Sequence, residues 1–234
     1  MIIAIDGPSG AGKSTLGRML ARKLNLLYID TGAMYRAAAL AVIESGVSTT
    51  DEDAVADVVA RARINLAGDP DSLQVLLDGR NVSDEIRTEE VSQTSSVIST
   101  IPAVRRALVA RQREMGKRGS VVLEGRDIGT VVFPEADVKF FLTARPEERA
   151  QRRYEEDRLR ESNLTFDETL DDINTRDVRD STRADSPLRK SDDSVVIDST
   201  ELSIEEVFAK MMSAIRELQG RDAESGRRGD AEIG

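Results

Sequence analysis

Residues 2–14 read Ile2-Ile3-Ala4-Ile5-Asp6-Gly7-Pro8-Ser9-Gly10-Ala11-Gly12-Lys13-Ser14. An apolar run bounded by a glycine-rich turn is the pattern of a buried strand. From Gly7 the chain follows Gly-x-x-x-x-Gly-Lys-Ser/Thr. Glycines let such a loop curl until successive backbone N–H groups point into one concavity, which suits the oxygens of nucleotide phosphates. Lys13 can then reach the β- and γ-phosphates, and the Ser14 hydroxyl can bind Mg²⁺. Leu16, Met19, Leu20 and Leu24 fall at helical spacing, so a helix over 13–25 follows the loop and aims its positive dipole end at the same point. Strand, loop and helix in this order predict an α/β fold, with residues Gly7, Pro8, Ser9, Gly10, Ala11, Gly12, Lys13, Ser14 and Thr15 holding a nucleoside triphosphate.

The elements beyond the loop extend that pattern. A short apolar run at 26–29 leads to the turn Asp30-Thr31-Gly32 and a helix over 33–45 that Gly46 stops. Thr50 is placed to cap the next helix, which runs to about 62. The texture then changes. Ile64 and Leu66 alternate with polar residues, as do Leu73, Val75 and Leu77, and Asp78-Gly79 is a hairpin signal. Hairpins do not belong inside a parallel βα repeat, so 63–83 reads as a small inserted antiparallel sheet followed by a helix over 89–99.

Further on, Pro102 opens a helix that ends at Gly116. Runs at 120–124, 138–142 and 194–198 read as core strands. Pro146 starts a charged helix to about 160. Thr165-x-x-Glu168 and Ser203-x-x-Glu206 are capping boxes for two more helices. In the last of them Val207, Phe208, Met211, Met212, Ile215 and Leu218 form the buried stripe. Residues 221–234 are polar and glycine-rich and read as disordered. Five strands at 2–6, 26–29, 120–124, 138–142 and 194–198, separated by helices, predict one parallel sheet. In such sheets ligands sit at the carboxyl ends of the strands. Those ends carry 7–14, 30–36 and 125–127.

Composition narrows the chemistry. The 234 residues contain no Cys and no His, which excludes a thiolate nucleophile, a Ser-His-Asp triad and a His/Cys zinc site. A metal must be a hard cation on oxygen ligands, with Mg²⁺ first. Net charge is −10 and aromatics are 3%, which argues against nucleic acid as a partner, whether held by phosphates or by base stacking. No apolar run of membrane-spanning length and no signal peptide are found, so the expected location is the cytoplasm.

Two further segments meet the loop. Arg36 stands one turn into the helix after Asp30-Thr31-Gly32, and Gly125-Arg126-Asp127 follows the third core strand. Two arginines converging beside a triphosphate loop suggest a second phosphate, and hence an acceptor that carries its own.

At this point the chain resembles the bacterial cytidylate kinases. The resemblance rests on 5–14, on Asp30-Thr31-Gly32-x-x-Tyr35-Arg36, on Val82-Ser83-x-Glu85-Ile86-Arg87-Thr88, on Gly125-Arg126-Asp127-Ile128-Gly129-Thr130-Val131-Val132-Phe133-Pro134, and on Arg176-Asp177-x-x-Asp180-x-x-Arg183. It covers residues 1–219; Glu124 stands where the family often has Asp. It implies a P-loop NTPase-type five-stranded parallel sheet flanked by helices, with core segments 1–57, 99–145 and 187–219. It also implies a monophosphate-binding insertion at 58–98, a helical lid at 146–186, and a tail, 220–234, outside the kinase domain. The implied reaction is ATP-dependent, Mg²⁺-assisted phosphorylation of CMP and dCMP by direct in-line transfer, in a monomer. Lys13, Arg126 and Arg152 would be catalytic, with Arg152 on the transferred phosphate. Thr31, Arg36 and Arg126 would bind CMP, the two arginines at its phosphate. Ser96, Arg105 and Asp127 would read cytosine, and Asp180, with Arg176 and Arg183, would reach the sugar side of the acceptor or tie the lid to it. Ser14 would hold Mg²⁺.

Two rivals define the discriminating tests. Another small-molecule kinase on the same fold would lack the Gly-Arg-Asp segment and the hairpin insertion. A nucleotide-dependent switch that reads guanine would carry an Asn-Lys-x-Asp segment, which this chain does not contain.

Overall fold

The computed structural model describes residues 1–117, 119–158 and 164–229. Strand β1 (Ile2–Asp6) leads through the glycine loop into helix α1 (Lys13–Leu24), then β2 (Leu27–Asp30), α2 (Thr31–Ser45) and α3 (Glu52–Arg61). Strands β3 (Ile64–Ala67), β4 (Gln74–Leu77) and β5 (Arg80–Asn81) form a separate three-stranded antiparallel sheet. Helices α4 (Glu89–Ile98) and α5 (Pro102–Gly116) return the chain to β6 (Val121–Gly125). Then come β7 (Val138–Thr143), α6 (Pro146–Arg158), α7 (Phe166–Thr182), β8 (Val195–Asp198) and α8 (Ile204–Gly229).

The main sheet has the order β2-β6-β1-β7-β8 and every pairing in it is parallel. This is the expected five-stranded sheet. Because β1 is central, its carboxyl end lies beside those of β6 and β7, with Asp6 in register with Gly125 and Phe141. Strand alternation divides the core between two layers. Ile3, Ile5, Val122, Phe140 and Leu142 pack under α1 and α8, and Ala4, Leu123 and Val121 pack against α2 and α5. Full burial of each large aliphatic side chain contributes about 1.5–3 kcal/mol.

Local signals place most boundaries. Asp78 and Gly79 both have positive φ, 51° and 89°, as a tight two-residue hairpin between β4 and β5 requires. The Thr165–Glu168 capping box is formed in both directions, and Ser203 and Glu206 bond reciprocally at 2.8 and 3.2 Å. Other boundaries differ from expectation. Helix α2 begins at Thr31, without the intervening turn, because the Asp30 carboxylate accepts from the Ala33 N–H at 2.8 Å and caps it directly. Asp51, not Thr50, caps α3 by accepting from Ala54 N–H, while Thr50 pairs with Ser48.

Helix α8 continues through Gly229, past the expected stop near 219; no proline interrupts that stretch. The rest of the expected disordered tail, 230–234, lies outside the described residues, as does part of the expected lid, 159–163. Among the described residues no helix is long and apolar enough to cross a membrane.

A π-helical turn over Ile128–Val132 was not foreseen. Its first two amides, Ile128 N–H and Gly129 N–H, donate to the two carboxylate oxygens of Asp6, both at 2.7 Å. The anchor is more than a hundred residues away in sequence, so no local pattern announces the turn.

Candidate active site

The glycine loop joins β1 to α1 through positions that only glycine accommodates. Gly7, Gly10 and Gly12 have φ of 149°, 75° and 87°, and a Cβ at Gly7 would run into the Leu142 carbonyl. Gly12 caps α1 with no side-chain bond, and the first turn carries no acidic residue, so the first amides of α1 are left to a ligand. Lys13 is buried and its Nζ donates to the Pro8 carbonyl at 2.6 Å, folding the side chain back across the loop. Burial, with Arg126 as the next contributor, pushes its ammonium down to about 7. Glu124, Asp6 and Asp180 pull the other way.

Behind the loop stands Glu124, at the end of β6 and 3% exposed. It accepts from Ser14 Oγ at 3.0 Å and from the Tyr28 hydroxyl. Burial, and then the neighbouring Asp30, push its carboxyl up to about 6. Its backbone carbonyl accepts from Thr31 Oγ1 at 2.6 Å. Asp30 also pairs with Arg36, 3.3 Å away. One cluster of side chains thus links the first turn of α1 to the first turn of α2.

Across from the loop, Arg105 and Asp127 form a buried ion pair, and the Arg105 guanidinium lies 5.9 Å from the Tyr35 ring centre. Burial raises the Asp127 carboxyl above its ordinary value, although Arg105 and Arg183 both oppose that. Arg126 Nε donates to Asp180 at 2.8 Å, and Arg183 stands 3.8 Å from Asp180 and 4.0 Å from Asp127. Nitrogen atoms on Arg105, Arg176 and Arg183 and the Tyr35 hydroxyl are buried without hydrogen-bond partners among the described residues. Such groups cost stability unless a ligand satisfies them.

The loop and these residues line one cavity of about 520 Å³. Its wall includes Ser9, Gly10, Ala11, Gly12, Lys13, Ser14 and Thr15, and Thr31, Arg36, Ser96, Arg105, Arg126, Asp127, Arg152, Arg176, Asp180 and Arg183. Gly7 and Pro8 shape the loop but are not on that wall. Three further wall residues also have partners of their own. Arg152 donates to Ser199 Oγ and to the Ser199 carbonyl at 3.0 and 2.7 Å. Ser96 Oγ accepts from Arg179 at 2.5 Å, and Arg176 pairs with Asp172 at 2.8 Å.

Sequence reasoning assigned no role to Glu124, Asp6, Arg149 or Arg179. Their contacts span 110, 122, 140 and 83 positions, and no short-range pattern marks them.

The depressed lysine has a testable consequence. At pH 8 an ammonium that titrates near 7 is mostly neutral, and the negative charge of a bound triphosphate restores its proton. ATP binding at pH 8 should therefore take up about one proton, and affinity should fall as pH rises above 7. Calorimetry in buffers of different ionisation enthalpy measures the uptake; none would mean that Lys13 is already charged in the empty loop.

A family model described as Cytidylate kinase matches residues 3–217. The cytidylate kinase of Rhodococcus opacus (strain B4) is 49% identical over 221 residues, 94% of this chain and 96% of its own. That of Solibacter usitatus (strain Ellin6076) is 50% identical over 226 residues, 95% of this chain and 96% of its own. That of Bacillus pumilus (strain SAFR-032) is 48% identical over 212 residues, covering 91% and 94%.

Proposed function

Since the chain belongs to the cytidylate kinase family, whose members phosphorylate nucleoside monophosphates with ATP, we propose that its acceptors are CMP and dCMP. The observation that carries this reading is the shared cavity, where the loop around Lys13 faces Arg126 and the buried Arg105–Asp127 pair. A triphosphate donor sits at one end and a monophosphate acceptor at the other. The insertion 58–98 closes on the acceptor and the lid 146–186 on the donor, in a monomeric cytoplasmic enzyme.

Arg36 and Arg126 hold the acceptor phosphate beside Thr31. That phosphate is a monoester with a second pKa near 6, largely dianionic at pH 7, and it attacks as it stands. An acceptor oxygen bonds the γ-phosphorus, the bond to the β–γ bridging oxygen breaks, and ADP leaves. No base is needed, which suits a chain with no histidine. The protein's tasks are alignment, charge and exclusion of water. Arg152 reaches the transferred phosphate only after releasing Ser199, so its arrival belongs to lid closure.

The residues around Ser14 fit Mg²⁺, since hydroxyl and carboxylate oxygens are hard donors. Ser14 Oγ would hold the ion together with phosphate oxygens and water, with Glu124 behind it. Among the described residues no group of three or more His, Cys, Asp or Glu side chains gathers to hold a metal unaided. When bound, the ion offsets charge on the phosphates.

Cytosine presents an amino group at C4 and an acceptor at N3; uracil reverses both. A carboxylate at Asp127 and the Ser96 hydroxyl accept from the amino group, and Arg105 donates to N3. Asp180, with Arg176 and Arg183, lies on the sugar side. Replacing Asp127 with Asn should lower the CMP-to-UMP ratio in kcat/KM by roughly 10- to 100-fold, the cost of one unmade buried hydrogen bond. An unchanged ratio would assign base reading to another group.

The test of the whole reading is ADP release from ATP·Mg²⁺ with CMP, dCMP, UMP, AMP and GMP offered separately. Fast turnover with CMP and dCMP is expected; equal turnover with all five would overturn it.

A further inference from the structure

We propose that Arg149 is a positioning residue for the donor phosphates, turning the Ser9–Gly10 peptide so that the Gly10 N–H faces the cradle and tying that orientation to helix α7 through Asp177. The inference rests on the loop binding a triphosphate, as argued above.

Arg149 lies on α6 and is 3% exposed, and each guanidinium nitrogen is used. Its Nε donates to the Ala144 carbonyl at 2.9 Å, one Nη to the Ser9 carbonyl at 3.1 Å and the other to Asp177 Oδ2 at 2.6 Å. In a planar trans peptide the carbonyl and the next N–H point in opposite directions. A Ser9 carbonyl drawn toward Arg149 therefore sends the Gly10 N–H the other way, to the phosphate side.

A second contact fixes the same geometry. Gly10 has a φ of 75°, and a Cβ there would lie 2.6 Å from the Arg149 carbonyl oxygen and 2.9 Å from its Cβ. Loop and helix touch backbone to backbone at this point. On the far side, Arg149 holds Asp177 Oδ2, while Asp177 Oδ1 is buried with no hydrogen-bond partner among the described residues. Helix α7 also carries Asp180, which binds Arg126, so one helix contacts the donor loop through Arg149 and the acceptor end directly. Lysine cannot replace this planar three-way fork, because its ammonium is a single point.

The experiment measures KM for ATP and for CMP, together with calorimetric titration by ATP alone, for wild type, Arg149→Lys, Asp177→Asn and the double variant. Arg149→Lys should weaken ATP roughly 10- to 100-fold, as expected for loss of a hydrogen bond to a charged donor, and leave KM for CMP unchanged. Asp177→Asn should move KM for ATP in the same direction by less, and the double variant should fall short of the product of the two. Should Arg149→Lys not fold, Asp177→Asn, whose side chain is partly exposed, decides alone. Equal rises in both KM values, full independence of the two substitutions, or unchanged ATP affinity would overturn the proposal. No ATP binding by wild type would overturn the donor-loop reading along with it, a result distinct from variants that bind ATP as wild type does.

Discussion

Replacing Lys13 with methionine lowers turnover about 100- to 1,000-fold, on the scale of removing one group that stabilises transition-state charge. The methionine keeps most of the buried volume and removes the ammonium that now bonds the Pro8 carbonyl. In the empty protein that charge is costly, which is why burial pulls its titration down to about 7. In the proposed reaction phosphate oxygens would offset that cost, most strongly as charge shifts toward the leaving β-phosphate. The loss should appear in kcat at saturating ATP, with thermal stability equal to or above wild type because a buried charge is gone. A variant with near-normal kcat would remove Lys13 from the transition state.

Arg126→Met is expected to lower kcat/KM for CMP by a similar factor, about 100- to 1,000-fold. Arg126 lines the same cavity as Lys13, close enough to depress its charge, and Asp180 holds it by one bond at 2.8 Å. Two cations this close are unfavourable until anions offset them, as the two phosphates of the proposed complex would. Asp180 keeps Arg183 nearby after the substitution, so the fold should survive. Steady-state kinetics beside a melting curve separate the two effects. Normal kcat/KM in a folded variant would place the acceptor phosphate elsewhere.

What the sequence made legible was what short-range physics controls. The run Ile2 to Ile5 followed by glycines, Pro102 at the start of α5, the capping boxes at Thr165 and Ser203, and Asp78-Gly79 each act within a few residues, and each element stands where its pattern placed it. Thr50 and Asp51 are equally good caps on paper, and only the actual bond to Ala54 separates them. The sheet order, with β6 between β2 and β1, depends on pairing between distant segments and leaves no local trace. The site divides the same way. The loop and the two arginine-bearing segments were visible because they follow strand ends. What those side chains hold without substrate was not. Arg152 on Ser199, Ser96 under Arg179, and Arg149 between Ser9 and Asp177 are long-range arrangements of one polar residue among many.

Asp6 ends β1 one residue before the loop, and its carboxylate grips the amides of Ile128 and Gly129, directly after Arg126 and Asp127. The glycine loop proposed for the donor and the segment with Arg126 and Asp127 proposed for the acceptor are thus clamped to a single side chain, at the centre of the sheet. Under the proposed assignment that clamp would set the spacing between the two reacting phosphates. Ser96, on α4 and held by Arg179 of α7, lies off that clamp. If the proposed roles hold, a designer who wished to change which base is accepted could rework Ser96 and its surroundings and leave the reaction distance untouched, whereas a change at Asp6 would alter the spacing for every substrate alike.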